Sequence, residues 1–317
     1  SEVNNRGRNI CISQMSWGIG PMSILLFGML FAPGGYLYGP VESLAHGILG
    51  ADAAQAAVEV FSSRVVFATL FIVAFIAWNL QRQLEESAEF TATKAQDKSG
   101  IVENIKLLFT NKIAVKTVAF LAAIYLTWNL VASVMGFFMP HIYETAGGLS
   151  NEAANMLSCV SWVFVVVTTF IISFLVDKVA HRFFYVFGLA AALTAWILII
   201  GGGVSTIAGI WLFTILWGVN NGSSVQVFYA LWGSELFPAK FRAGAQGLMF
   251  FIVRGLSAVW GLVFTFIYGD NGEGFTVAAY CMIALLLISL IVGLLGMPNT
   301  RGKSLDQITR ERYGDTI

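Results

Sequence analysis

Amides and a guanidinium stand inside long apolar stretches of this 317-residue chain: Gln14, Asn129, Asn221 and Gln226, and Arg254. Side-chain amides donate and accept at once, which suits a solute rich in hydroxyl groups. Trp17, Tyr125, Trp128, Trp162 and Tyr229 lie on the same stretches and offer aromatic platforms for its apolar faces. Tyr125, Asn129, Ser133, Gly136 and Pro140 follow one face at helical spacing. A packing reading stands beside this one, because Ser and Gly let helices approach closely and Trp or Tyr near a helix end anchors at the membrane interface.

Arg254 is the sharpest of these residues, flanked by Phe250-Phe251-Ile252-Val253 and a further apolar run. At the centre of a bilayer a guanidinium costs at least ~2.5 kcal/mol unless it is paired or hydrated. No acid of the chain lies at the same depth. Three readings stay open: a carboxylate on a helix outside this sequence, an anionic solute, or snorkelling to the cytoplasmic face. Hydrolytic and metal chemistry are disfavoured, since His46, His141 and His181 are isolated and no carboxylate pair lies at depth. No catalytic residue, metal or cofactor is assigned.

The elements that must position these groups are spanning helices. The chain is 57% hydrophobic and 11% charged, against roughly 25% charged in an ordinary soluble domain. Eight apolar stretches, 10–34, 64–81, 115–139, 153–176, 183–203, 208–232, 244–268 and 275–296, are each near the ~20 residues that cross a ~30 Å hydrocarbon core. They lack the period-two alternation of barrel strands, so helices are expected. The stretch 208–232 is interrupted by Asn220, Asn221, Gly222, Ser223, Ser224 and Gln226, a run tolerated where it faces protein or a wet cavity. Between spans, 40–63 reads as a surface helix, and Ile101, Ile105, Leu108 and Phe109 predict a short interfacial helix in the polar stretch 81–111. Cys11, Cys159 and Cys281 read as buried small hydrophobes.

Charge gives the orientation. Of 18 Lys and Arg residues, all but Arg64 and Arg254 fall on one set of alternating loops, while the opposite loops carry Glu42, Asp52, Glu59, Glu144, Glu152, Asp270 and Glu273. That asymmetry places the basic loops and the C-terminus in the cytoplasm. The net charge of zero offers no basic face for nucleic acid. On the basic loops Glu2 with Arg6 and Arg8, Asp177 with Arg182, and Glu235 with Arg242 are expected to pair. Such pairs can lock neighbouring helices in one state and release them in another; as solvated anchors each would contribute ~1 kcal/mol or less.

Ser1-Glu2-Val3 followed by Arg6-Gly7, with Gln14 beyond, recurs as Ser234-Glu235-Leu236 followed by Arg242-Ala243, with Gln246 beyond. Copies at corresponding topological positions suggest duplicated bundles. Since four helices of its own bundle precede the second copy and none precedes the first, the sequence reads as a piece that starts about four helices into a longer protein.

With these residues the chain resembles the major facilitator superfamily, and within it the sugar porter family. The resemblance is carried by Ser234-Glu235-Leu236-Phe237-Pro238 with Arg242, by Asp177-Lys178-Val179-Ala180-His181-Arg182, and by Met297-Pro298-Asn299-Thr300-Arg301-Gly302-Lys303-Ser304-Leu305. It implies an all-helical polytopic fold: the last helices of an N-terminal bundle (1–82), a cytoplasmic linker (83–114), a C-terminal six-helix bundle (115–297) and a tail (298–317). It also implies that Glu2, Arg6, Asp177, Arg182, Glu235 and Arg242 form a state-dependent network closing the inward side. Thr127 and Trp128 stand where sugar porters carry paired glutamines, which argues against a hexose.

The expected function is secondary-active transport of a sugar or polyol by alternating access. Protons are the expected coupling ion, and a monomer in a bacterial inner membrane the expected setting. The solute contacts expected are Gln14, Trp17, Tyr125, Trp128, Asn129, Ser133, Trp162, Asn221, Gln226, Tyr229 and Arg254. Transport of an organic acid held by Arg254 is the alternative, and a transporter-like sensor a third reading.

Overall fold

The computed structural model describes residues 5–83, 106 and 108–314. Its helices are α1 (Arg6–Phe31), α2 (Tyr38–Leu49), α3 (Gln55–Gln81), α4 (Lys112–Thr145), α5 (Asn151–Ser173), α6 (His181–Ile200), α7 (Ile207–Ser223), α8 (Val225–Glu235), α9 (Ala239–Tyr268), α10 (Phe275–Gly296) and α11 (Leu305–Tyr313). Among the described residues seven helices are long and apolar enough to cross a membrane: α1, α3, α4, α5, α6, α9 and α10.

The eighth expected crossing, 208–232, is two helices. The chain leaves helical geometry at Ser224, whose φ of −121° and ψ of −128° separate α7 from α8. The Asn220 amide donates to the Ser224 hydroxyl at 3.0 Å, and that hydroxyl accepts the backbone N–H of Val225. This is the local competition that Ser and Asn offer a helix backbone.

Several helices start at residues whose side chains take up the first free backbone N–H groups. Asn111 accepts from Ile113 and Ala114, Ser150 from Ala153, Thr206 from Gly209 and Ser304 from Gln307. Other boundaries differ from the apolar stretches. α3 begins at Gln55 rather than 64, and α2 occupies the earlier part of the expected surface helix at 40–63. α4 extends through Pro140 to Thr145, 34 residues in all, roughly 51 Å at 1.5 Å per residue. Its outer turns are more polar than a bilayer span and therefore gave no hydropathy signal. Of the expected interfacial helix, Ile101 and Ile105 lie outside the described residues; Leu108 is buried and Phe109 exposed.

By its contacts the chain forms two compact units, Ile19–Ser87 and the remainder. In the smaller, Tyr38, Ala45 and Val58 form an apolar cluster. The Ser62 hydroxyl donates to the Phe31 carbonyl, and Gln55 donates to the Tyr38 hydroxyl at 2.7 Å.

The larger unit is a helical bundle in which α7 packs on α5 and α6 through small residues. A Cβ at Gly218 would meet the Ser161 carbonyl oxygen at 2.7 Å, and one at Gly188 would meet Ser224 Cβ at 2.4 Å. Close backbone approach of this kind is how helices associate where lipid removes the hydrophobic drive. Polar ties fix the register. Tyr143 and Thr214 share a hydrogen bond of 2.6 Å, Thr145 and Tyr268 another of 2.6 Å, and Tyr185 donates to the Ser289 carbonyl at 2.9 Å. Cys11 and Cys159 are buried, Cys281 is half-buried, and all three are free thiols.

Candidate substrate site and charge network

α4, α8 and α9 bring an aromatic stack together. The rings of Tyr125 and Tyr229 lie 3.9 Å apart and within 8° of parallel. Phe250 of α9 meets both edge-on at 5.8 Å. The Tyr229 hydroxyl is buried without a hydrogen-bond partner, and the Arg254 guanidinium interacts with the buried Tyr125 hydroxyl. Most buried polar groups are satisfied, so the Tyr229 hydroxyl is a candidate contact for a solute.

Amides flank the stack. Asn129, one turn after Tyr125 on α4, accepts from the Ser257 hydroxyl of α9 at 3.0 Å. Gln226, on α8 one turn before Tyr229, donates to Gln14 of α1 at 2.8 Å, and its own carbonyl oxygen is buried without a partner. The Arg254 guanidinium lies 5.9 Å from the Phe250 ring centre, within electrostatic reach of Tyr125 and Tyr229. It makes no ion pair among the described residues.

Trp128 is buried and committed to packing. With the Asn220 amide turned so that its nitrogen donates to the Gly188 carbonyl at 3.1 Å, its oxygen accepts from Trp128 Nε1 at 3.3 Å. Ser133 is half-buried and donates to the Leu130 carbonyl of its own helix at 3.1 Å.

Trp17, Trp162 and Asn221 gather elsewhere in the bundle. Trp17 and Trp162 meet edge-to-face at 5.7 Å. Trp162 and Asn221 line a cavity of about 20 Å³ with Gly136, Ser161 and Trp217, and Asn221 donates to the Trp217 carbonyl at 3.0 Å. Apart from Trp128 and Ser133, the expected solute contacts therefore divide into two groups. Phe250 and Ser257 were missed by sequence reasoning; their signal was helical spacing, since both lie about one turn from Arg254.

The charge network is organised differently from the expected pairs. Glu235 does not pair with Arg242. It is bonded to Arg6 at 2.6 Å, with both side chains buried, and Arg6 also donates to the Lys303 carbonyl at 3.1 Å. Asp177 does not pair with Arg182, which is exposed with no ion pair among the described residues. Its two carboxylate oxygens accept the backbone N–H groups of Gly7 and Arg8, each at 3.0 Å. It thereby neutralises the positive end of α1. Arg242 donates to the Phe237 carbonyl at 3.4 Å, and Glu2 lies outside the described residues. The pairs form between motif copies because α1 begins beside the end of α8 and the α5–α6 turn; separation along the chain gives no hint of that.

Three comparisons with known proteins bear on the family and the fold. Residues 74–311 match the model of the Sugar (and other) transporter family. The minor myo-inositol transporter IolF of Bacillus subtilis (strain 168) is 36% identical over 320 aligned residues, covering 98% of this chain. The chain spans 66% of that relative's length. Among solved structures, the major facilitator superfamily proton:xylose symporter XylE bound to 6-bromo-6-deoxy-D-glucose aligns with a TM-score of 0.65 at 14% identity, over 98% of this chain and 68% of that one. A double Trp mutant of XylE aligns with a TM-score of 0.58 at 16% identity, over the same shares of the two chains.

Proposed function

Because the chain belongs to the sugar (and other) transporter family of the major facilitator superfamily, we propose that its protein carries a sugar or polyol across a membrane by alternating access. The observation that carries this reading is the group at Tyr125, Gln226 and Tyr229, where the Gln226 carbonyl oxygen and the Tyr229 hydroxyl are buried and unpartnered beside the stacked Tyr125 ring. A solute bearing several hydroxyls both donates and accepts, and so satisfies both without a charge. The name of the inositol-transporting relative supports a cyclic polyol. Gln14, Tyr125, Asn129, Gln226 and Tyr229 hold the hydroxyls. Trp17, Trp162 and Asn221 line a second patch along the path, and Trp128 and Ser133 keep α4 in register.

In this account the pair Arg6–Glu235 and the cap from Asp177 to α1 close the cytoplasmic end in one state and part in the other. Protons drive the cycle, the protein works as a monomer in a bacterial inner membrane, and its C-terminus is cytoplasmic. An organic acid held by Arg254 uses the same site and differs in requiring a charge.

The test is uptake of labelled myo-inositol into proteoliposomes holding the full-length protein, with Asn129→Ala and Gln226→Ala alongside. Loss of one hydrogen bond to a hydroxyl costs ~0.5–1.5 kcal/mol. The half-saturation constant should therefore rise about two- to twelve-fold in each variant. Constants unchanged in both would return these residues to helix packing.

A further inference from the structure

Arg254 is exposed within α9, whose composition is that of a membrane span, and no carboxylate among the described residues neutralises it. Its guanidinium does not stand apart from the candidate site. It lies beside the Phe250 ring and within electrostatic reach of both members of the stacked pair, Tyr125 and Tyr229. The Tyr229 hydroxyl is among the buried groups that lack partners. Through Ser257, one turn further along α9, the same helix face is tied to Asn129.

From this placement we propose that the solute is a polyhydroxylated compound bearing one carboxylate, and that Arg254 binds the carboxylate while the tyrosines and amides bind the hydroxyls. The proposal rests on the carrier reading above and narrows its substrate class to sugar acids or oxidised polyols.

Three physical points support it. A guanidinium that only anchored the helix would gain by reaching the headgroup region, whereas this one lies against the aromatic cluster. Its planar fork matches the two oxygens of a carboxylate and can bind them together. Among the described residues the cluster of Tyr125, Asn129, Gln226, Tyr229, Phe250, Arg254 and Ser257 contains one cation and no acid, and a bound monoanion would neutralise that cation. A phosphate monoester, carrying about two negative charges at neutral pH, would leave it with a net negative charge inside the membrane. A neutral polyol would leave Arg254 without a counter-ion among the described residues.

The experiment uses the full-length protein in proteoliposomes and three unlabelled competitors: D-glucuronate, its neutral isostere D-glucuronamide, and myo-inositol. Labelled D-glucuronate uptake is measured as well. A charge-assisted hydrogen bond contributes ~1.5–3 kcal/mol, so glucuronate should bind about ten- to 150-fold more tightly than glucuronamide in the wild type. In Arg254→Gln the ratio of the two constants should fall to about one. Arg254→Lys, which restores charge without the fork, should recover only part of it.

Glucuronamide or myo-inositol competing as well as glucuronate in the wild type would overturn the proposal and leave a neutral-polyol carrier standing. A glucuronate preference that survives in Arg254→Gln would also overturn it. Uptake of no polyhydroxylated compound, acidic or neutral, would remove the carrier reading together with the proposal. The wild-type ratio alone decides the matter should the variants fail to fold.

Discussion

Arg6 and Glu235 stand 229 positions apart in the chain and meet at 2.6 Å in a buried ion pair. The contact joins the start of α1 to the end of α8. Removing one partner of a buried pair strands the other charge and typically costs 3–5 kcal/mol, roughly, whereas replacing both with apolar residues is often neutral. Arg6→Met and Glu235→Leu should each lower the melting temperature in detergent, and the double variant should recover most of the loss. Additive losses in the double variant would mean that the two side chains act independently.

The unpartnered Tyr229 hydroxyl allows a role in binding to be separated from a role in folding. Tyr229→Phe removes a buried hydroxyl that has no partner. With nothing lost from the fold and a desolvated polar group removed, stability should stay level or rise by about 1 kcal/mol. Solute affinity should fall by a similar amount, a several-fold rise in the half-saturation constant. Thermal melts and uptake kinetics on one preparation give both numbers; a destabilised variant with unaltered affinity would make the hydroxyl structural.

Close packing of α7 on α5 gives a prediction independent of transport. A Cβ at Gly222 would lie 2.6 Å from the Val165 carbonyl oxygen and 2.8 Å from Thr168 Cβ, while one at Gly247 would meet nothing within 4 Å. Overpacking costs about 1–3 kcal/mol, and Ala is the better helix former by about 1 kcal/mol. Gly222→Ala should therefore destabilise and Gly247→Ala should not, as read by thermal unfolding in detergent. Equal effects at the two positions would contradict the packing described for α7.

The spanning helices were legible in the sequence because an apolar run of bilayer length has few other uses. Their ends were not, since Gln55, Glu59, Ser62 and Ser63 in α3 and His141 and Glu144 in α4 interrupt the apolar run without ending the helix. The run Asn220 to Ser224 announced a weak point in the eighth crossing, but the site of the break depended on the Ser224–Asn220 bond, a side-chain geometry. Residue types for the candidate site could be read from polarity at depth. Their grouping could not, because Tyr125 and Tyr229 stack across two helices whose rotation only packing decides. The ion-pair partners were the least legible, since the charges lie on loops that the fold alone brings together.

Counterflow tests the central claim most directly. Proteoliposomes holding the full-length protein are loaded with unlabelled myo-inositol or D-glucuronate and diluted into a trace of the same labelled compound. An alternating-access carrier returns from the opposite side faster when loaded, so labelled solute should accumulate transiently above its equilibrium level, saturably and only in preloaded vesicles. Flux that rises linearly with concentration and is indifferent to preloading, or no flux of either compound, would contradict the assignment of this protein as a sugar or polyol carrier.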